Sequence, residues 1–181
     1  MASASHPNPV QQPAELVGLC TRESHAVVGS APRAEVRAKN LWHRCSFCLV
    51  VDASGERVLV QKRVAWKETY PSHYDPCPGG VMGPDETFEE NGARELREEM
   101  GIAVAPADLA PVFDFRFEDD RVRTWGRLLA LTWDGAVGDL ALQAAEVESA
   151  AWWDRADLAA LLDNGPVCPD SAVALRRWLA G

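Results

Sequence analysis

Glu95, Glu98 and Glu99 lie in the stretch GGVMGPDETFEENGARELREEMGI, which runs from Gly79 to Ile102. At about 100° per residue of helix, Glu98 lies near −60° and Glu99 near +40° when Glu95 is placed at zero, so the three carboxylates share a face. Ala93, Leu96 and Met100 fall between about 100° and 160°, a separate apolar stripe able to bury itself against a sheet. Carboxylates this close repel one another, and a divalent cation relieves the repulsion. Hard oxygen donors select Mg²⁺ or Mn²⁺ over Zn²⁺. An ordinary solvated helix face is the competing explanation, with (i, i+4) pairs such as Glu90 and Arg94 contributing about 0.3 kcal/mol each. It explains the alternation of charge. It explains neither the Gly79-Gly80 pair that opens the stretch nor the Met100-Gly101-Ile102 that closes it.

Gly80, Glu86, Arg94, Glu95, Leu96, Glu98, Glu99, Gly101 and Ile102 match, without a departure, a pattern of glycine, five residues, glutamate, seven residues, Arg-Glu, an aliphatic, one residue, Glu-Glu, one residue, glycine and an aliphatic. The segment thereby resembles the Nudix box. That resemblance implies an α/β fold, an α/β/α sandwich with a mixed sheet. It also implies a metal-dependent hydrolase that cleaves a diphosphate linkage, in a nucleoside diphosphate derivative or a related small phosphoanhydride, by attack of a metal-bound water on phosphorus. Glu95, Glu98 and Glu99 are then metal ligands, joined by the backbone carbonyl of Gly80, and Glu95 or a downstream acid is the base. Arg94 is implied to orient the acids, in an ion pair with Glu86. Glu86 reads equally as an acid stabilising the start of the helix or as a residue on the substrate side. The resemblance further implies one more acidic ligand or base from a loop after the box. Glu118 in FEDD and Glu146 in EVES are the candidates, and Glu118 is favoured because a hairpin tip beside the helix would reach its acidic face.

Several elements must hold these residues. ELVGLCTRES and HAVVGSA read as short strands, PRAEVRAK as a brief helix, and LWHRCSFCLVVD and RVLVQKRV as a hairpin turning at Asp52-Ala-Ser-Gly55. The box should be strand end, loop and helix: the two glycines allow close backbone approach, Pro84 to Thr87 start the helix, and Gly101 ends it. APVFDFRFEDD and RVRTWGRLLALTWD form a second hairpin. EVESAAWWD is a strand, and RADLAALLDN and CPDSAVALRRWLA are helices. Strands interleaved with helices in this way indicate a mixed sheet covered by helices. Softer likenesses along residues 16–181 (WHR, QKR, GGV, RTWG, EVESAAWW) are similar to a bacterial branch of Nudix hydrolases close to isopentenyl diphosphate isomerases.

Arg63 and Lys62 of QKR are the candidates for phosphate binding, with a solvated strand edge as the alternative. Trp66, Tyr70 and Tyr74 could stack on a base or pack against the core. Cys45 and Cys48 read as packing residues, because residues three apart on a strand face opposite ways and no second CxxC completes a zinc site. Cys77 and His43 raise an isopentenyl diphosphate isomerase-like enzyme as an alternative, although Cys77 between two prolines reads as a small buried filler. A non-catalytic nucleotide- or metabolite-binding Nudix module is a further alternative; the intact acid set speaks against it.

The chain of 181 residues suits one domain over residues 15–181, after a small, polar, proline-rich tail at 1–14 expected to be disordered. The net charge of −9 opposes a nucleic-acid polymer as partner but leaves a small phosphorylated substrate open, because a bound cation inverts the local field. No apolar run is long enough to span a membrane, and five cysteines, an odd number, fit a reducing compartment. A soluble, cytoplasmic protein is expected, and its oligomeric state, a homodimer included, is left open.

Overall fold

The computed structural model describes residues 15–181, so the tail assigned to 1–14 lies outside the described residues. In chain order the elements are β1 (Leu16–Leu19), β2 (Gly29–Pro32), α1 (Arg33–Ala38), β3 (His43–Val51), β4 (Arg57–Arg63), β5 (Tyr74–Asp75), α2 (Phe88–Met100), β6 (Ala110–Glu118), β7 (Arg123–Thr132), β8 (Val147–Asp154), α3 (Arg155–Asn164) and α4 (Pro169–Ala180). Along β3 the side chains alternate between two apolar layers. Cys45, Phe47 and Leu49 pack with Leu158 and Leu161 of α3 and Leu175 of α4. Cys48 and Val50 pack with Leu96 and Met100 of α2. One mixed sheet thus lies between α2 on one face and α3 with α4 on the other, the expected α/β/α sandwich. Each fully buried Leu or Met in these layers contributes about 2 kcal/mol.

Within the sheet, β3 runs parallel to β7 along its whole length, from His43 opposite Thr124 to Val51 opposite Thr132. β6 completes the expected antiparallel hairpin with β7, and its turn is held by Asp119, whose Oδ1 accepts from the N–H groups of Arg121 and Val122 at 2.7 Å each. On the other side, β4 pairs antiparallel with β8 and β5. The turn between β3 and β4 forms as expected, with Asp52 Oδ1 accepting from the N–H groups of Glu56 and Arg57. The two strands then part, and their ladder is the single pair Val51 and Val58.

The gap is filled by the segment that carries the glycine pair. Cys48 N donates to Pro78 O at 2.8 Å, Ser46 N to Gly80 O at 3.1 Å, and Met82 N to Arg44 O at 3.0 Å. A hairpin expected from turn chemistry is therefore a turn followed by a wedge: residues 78–82 take the hydrogen-bonding edge of β3 that β4 would have used. Gly79 is obligatory for the wedge, since a Cβ there would lie 2.0 Å from the carbonyl oxygen of Ser46. Gly79→Ala is expected to destabilise the chain by roughly 2 kcal/mol or more, because neither backbone can give way without losing the ladder. Denaturant unfolding checks this, and an unchanged midpoint would remove the close approach as a constraint.

Candidate active site

The sequence starts and stops α2 sharply. Thr87 Oγ1 accepts from Glu90 N at 3.2 Å while Glu90 Oε2 accepts from Thr87 N at 2.9 Å, a reciprocal cap. Gly101 ends the helix in the left-handed conformation at φ 74°. Between these points the three glutamates form a gradient of depth. Glu99 is 3% exposed and accepts from Gln61 Nε2 at 2.8 Å. Glu95 is nearly buried and meets Arg94 Nη1 at 2.8 Å. Glu98 is half exposed and turned toward Arg94, 3.1 Å away. Gly80 faces Glu95 so closely that a Cβ would lie 2.2 Å from its Oε1. A side chain at this position would require the Glu95 carboxyl to move aside.

Arg94 and Glu86 form the expected pair, Nε to Oε1 at 2.9 Å. Glu86 Oε2 also accepts from Gly83 N at 2.8 Å and from Asn91 Nδ2 at 3.0 Å. Burial alone would raise the Glu86 carboxyl, but hydrogen bonds from Arg94, Gly83 N–H and Asn91 outweigh it and hold the pKa below its ordinary value. Glu86 lines the cavity described below, and both of its oxygens are engaged, by Arg94, Gly83 N–H and Asn91. Asn91, fully buried, accepts from Ser46 Oγ at 2.6 Å and donates to Val81 O, tying α2 to β3 and to the wedge. Arg44 Nη2 donates to the carbonyls of Gly83, Pro84 and Glu86 and fixes the loop before α2.

The acidic face of α2 borders a cavity of about 600 Å³ lined from both halves of the sheet. Of the two candidates for the additional acid, the cavity receives Glu146. Glu118 is not at the site: it sits at the hairpin tip, paired with Arg22 and Arg123 at 3.3 and 3.1 Å. The loop before β8 docks on the end of α2 through Gln143 N to Glu99 O at 2.9 Å, and this places Glu146 beside Glu99. Arg63 lines the cavity as expected, its Nη1 3.8 Å from Asp75 Oδ2. Lys62, one residue earlier on the strand, faces the other way and binds Glu148 Oε1 at 2.9 Å; the expected phosphate contact is not available to it.

Of the aromatic candidates, Tyr70 lines the cavity and donates to Asp119 Oδ2 at 2.8 Å. Tyr74 packs edge-on against Trp153, and Trp66 is exposed with its ring N–H on Ala145 O. His43 and Cys77, the residues behind the isomerase alternative, also line the cavity. Burial pushes the Cys77 thiol well above its ordinary value and the His43 imidazole below its own. Residues missed in the sequence are Arg33 and Arg37 of α1, Lys67, which contacts Glu146, and Gln61. The spacing of Arg33 and Arg37 on one helical face was the only available signal.

Burial pushes the carboxyl of Glu95 up to about 7, with Glu98 adding to the rise against the pull of Arg94. Burial likewise raises Glu99 to about 8, aided by Glu95. Glu146, although burial would raise it, is held low by Lys67 and by its contact with Glu99. The chemistry of these groups suits a hard divalent cation: the donors are oxygens, burial raises two of the carboxyls above the ordinary range, and the position facing Glu95 is a glycine. Among the described residues no three or more His, Cys, Asp or Glu side chains are grouped so as to hold a metal ion as they stand. Glu98 would have to exchange Arg94 for the cation, which its exposure permits.

The NUDIX domain model matches residues 42–174, leaving β1, β2 and α1 outside the match. The uncharacterized Nudix hydrolase PA4841 of Pseudomonas aeruginosa is 36% identical over 169 residues, covering 92% of this chain and 94% of that protein. The uncharacterized Nudix hydrolase YfcD of Escherichia coli (strain K12) is 36% identical over 157 residues, covering 87% and 83%. In fold, the chain is similar to the crystal structure of DR0079 from Deinococcus radiodurans, with a TM-score of 0.73 at 22% identity over 90% of this chain and 98% of that one. It is also similar to the MutT protein from Methanosarcina mazei Go1, with a TM-score of 0.59 at 25% identity over 75% and 94%.

A carboxyl that keeps its proton when folded and releases it when unfolded lowers stability as pH rises between the two pKa values. For Glu95 this window runs from the ordinary 4.5 to about 7 and is worth on the order of 3 kcal/mol. Glu99 extends the window to about 8, and Asp170, raised to about 7 by burial and by Asp75, adds to it. Without divalent cations, the melting temperature is expected to fall between pH 5 and pH 8. Glu95→Gln with Glu99→Gln should remove most of the fall, and a flat profile in the parent chain would contradict the burial of these acids.

Proposed function

The chain belongs to the Nudix family and is a hydrolase of phosphorus-containing anhydrides, and from that premise we propose that it is a divalent-cation-dependent pyrophosphatase of a nucleoside diphosphate derivative or a related small phosphoanhydride. The observation that carries this reading is the pair of buried carboxyls, Glu95 and Glu99, at the wall of a cavity that also presents Arg33, Arg37, Arg63 and Lys67. An acidic wall facing basic groups suits a polyanion that shares a cation with the acids.

Glu95, Glu98, Glu99 and the Gly80 carbonyl would hold Mg²⁺ or Mn²⁺, which when bound would neutralise charge on the phosphoryl oxygens and make a water more acidic. Arg94, fixed by Glu86, keeps Glu95 and Glu98 oriented. Glu146, kept ionised by Lys67, is the acid positioned to take the proton of the water that attacks phosphorus. The bond from that phosphorus to the bridging oxygen breaks, and the leaving phosphate departs with the bridging oxygen. Arg63, which lines the cavity, would pair with negative charge on the phosphate. A cytoplasmic setting accompanies this reading: all five cysteines are unpaired and buried, as suits a reducing compartment. Among the described residues no helix is long and apolar enough to cross a membrane.

Incubation with Mg²⁺ and a panel of nucleoside diphosphates, triphosphates, dinucleotides and isopentenyl diphosphate, followed by phosphorus NMR, is expected to show cleavage between two phosphorus atoms. Double-bond migration without cleavage, or binding without either, would overturn it. In the same assay Glu99→Gln should lower turnover by several orders of magnitude with the fold intact. Glu146→Gln should lower turnover as well, while Glu118→Gln should leave it unchanged. An effect confined to Glu118→Gln would return the additional acid to the hairpin tip.

A further inference from the structure

α1 has two faces of different character. Glu35 and Lys39 pair with each other at 2.7 Å on the outside. Arg33 and Arg37, also four residues apart, lie on the side that lines the cavity, with Val36 between them buried against Val17, Ala31 and Val81. Like charges at this spacing repel by a few tenths of a kcal/mol on a helix. Each guanidinium has one carboxylate partner: Arg33 Nη1 binds Glu15 at 2.8 Å, and Arg37 contacts Glu68. The rest of each donor fork carries no further hydrogen bond among the described residues, and Arg121, from the β6–β7 tip, lines the same cavity. Arg33 is close enough to Glu95 and Glu146 to feel their charges, so the basic and acidic walls border one space.

Resting on the pyrophosphatase reading, we infer that Arg33 and Arg37 form a subsite for a terminal, uncapped phosphate, the group that leaves when the anhydride linkage held at the α2 acids is cut. Phosphate bearing two charges matches two guanidinium forks, whereas a phosphate esterified on its far side has one charge fewer and extra bulk to place against α1. The substrate class is therefore an anhydride ending in free phosphate, of the nucleoside diphosphate or triphosphate kind, in preference to dinucleotides or sugar nucleotides. Val36 and the β1–β2 hairpin hold the pair in place, and all of these precede residues 42–174, which the NUDIX domain model matches.

The test compares the parent chain, Arg33→Gln with Arg37→Gln, Arg33→Lys with Arg37→Lys, and Lys39→Gln. KM and kcat are measured with a nucleoside diphosphate and with the matching sugar nucleotide. The glutamine pair should raise KM for the diphosphate roughly tenfold or more, with a much smaller change for the sugar nucleotide. The lysine pair should recover part of the loss, and Lys39→Gln should behave as the parent. An equal effect on both substrates, or none on either, would overturn the subsite. Titration calorimetry with inorganic pyrophosphate and Mg²⁺ separates this inference from the reading on which it rests. Should the parent cleave no anhydride, the hydrolytic reading fails, but weaker pyrophosphate binding in the glutamine pair alone would still support the anion subsite. Equal affinity in all four proteins, or no binding by the parent, would overturn it.

Discussion

Glu95 and Glu99 are kept from water beside each other, and the rest of the chain is arranged to tolerate this. An ionised carboxylate taken out of water without a partner costs several kcal/mol, so burial raises the pKa of both acids, and neighbours fix them in place. Gln61 binds one, Arg94 the other, and Gly80, lacking a Cβ, leaves the space that the Glu95 carboxyl occupies. In the proposed function this cost has a counterpart, because a dication arriving at these oxygens would displace protons and stabilise the ionised acids.

Such a site needs rigid support, and the support is built of buried polar contacts. Asn91 sits between Ser46, Val81 and Glu86 with no exposure, and Glu86 in turn holds Arg94. Each bond in this chain contributes about 1 kcal/mol, more where a charge is involved, and losing one partner leaves the others buried and unsatisfied. The hydrophobic layers set the position of α2 against the sheet, and the polar chain sets its rotation and register.

What the sequence made legible follows from the range over which each signal acts. The helix, its caps and the order of acids along it depend on residues a few positions apart, and all are found as expected. The layer arrangement follows from the alternation along β3, which survives because both faces are covered. The choice between Glu118 and Glu146 depends on which distant loop docks on the end of α2, through Gln143 and Glu99, and no local pattern encodes it. The same holds for Arg33 and Arg37, whose face is fixed by β1 and β2. Lys62 and Arg63 differ by one residue on a strand, so assigning both to one role conflicted with the two-residue period. The first hairpin failed as a ladder because Asp52 to Gly55 encode a turn and say nothing about how far the strands continue together.

The wedge between β3 and β4 has a kinetic counterpart. Ser46 and Cys48 donate their N–H groups to Gly80 and Pro78 rather than to a neighbouring strand of the main ladder, so those two amides are shielded from solvent hydrogen only while residues 78–82 remain docked. Their exchange with deuterium is governed by local opening of that segment, whereas amides between β3 and β7 wait on a larger disruption. The protein thus carries, in two backbone protons beside its acids, a readout of whether the glycine pair is in place.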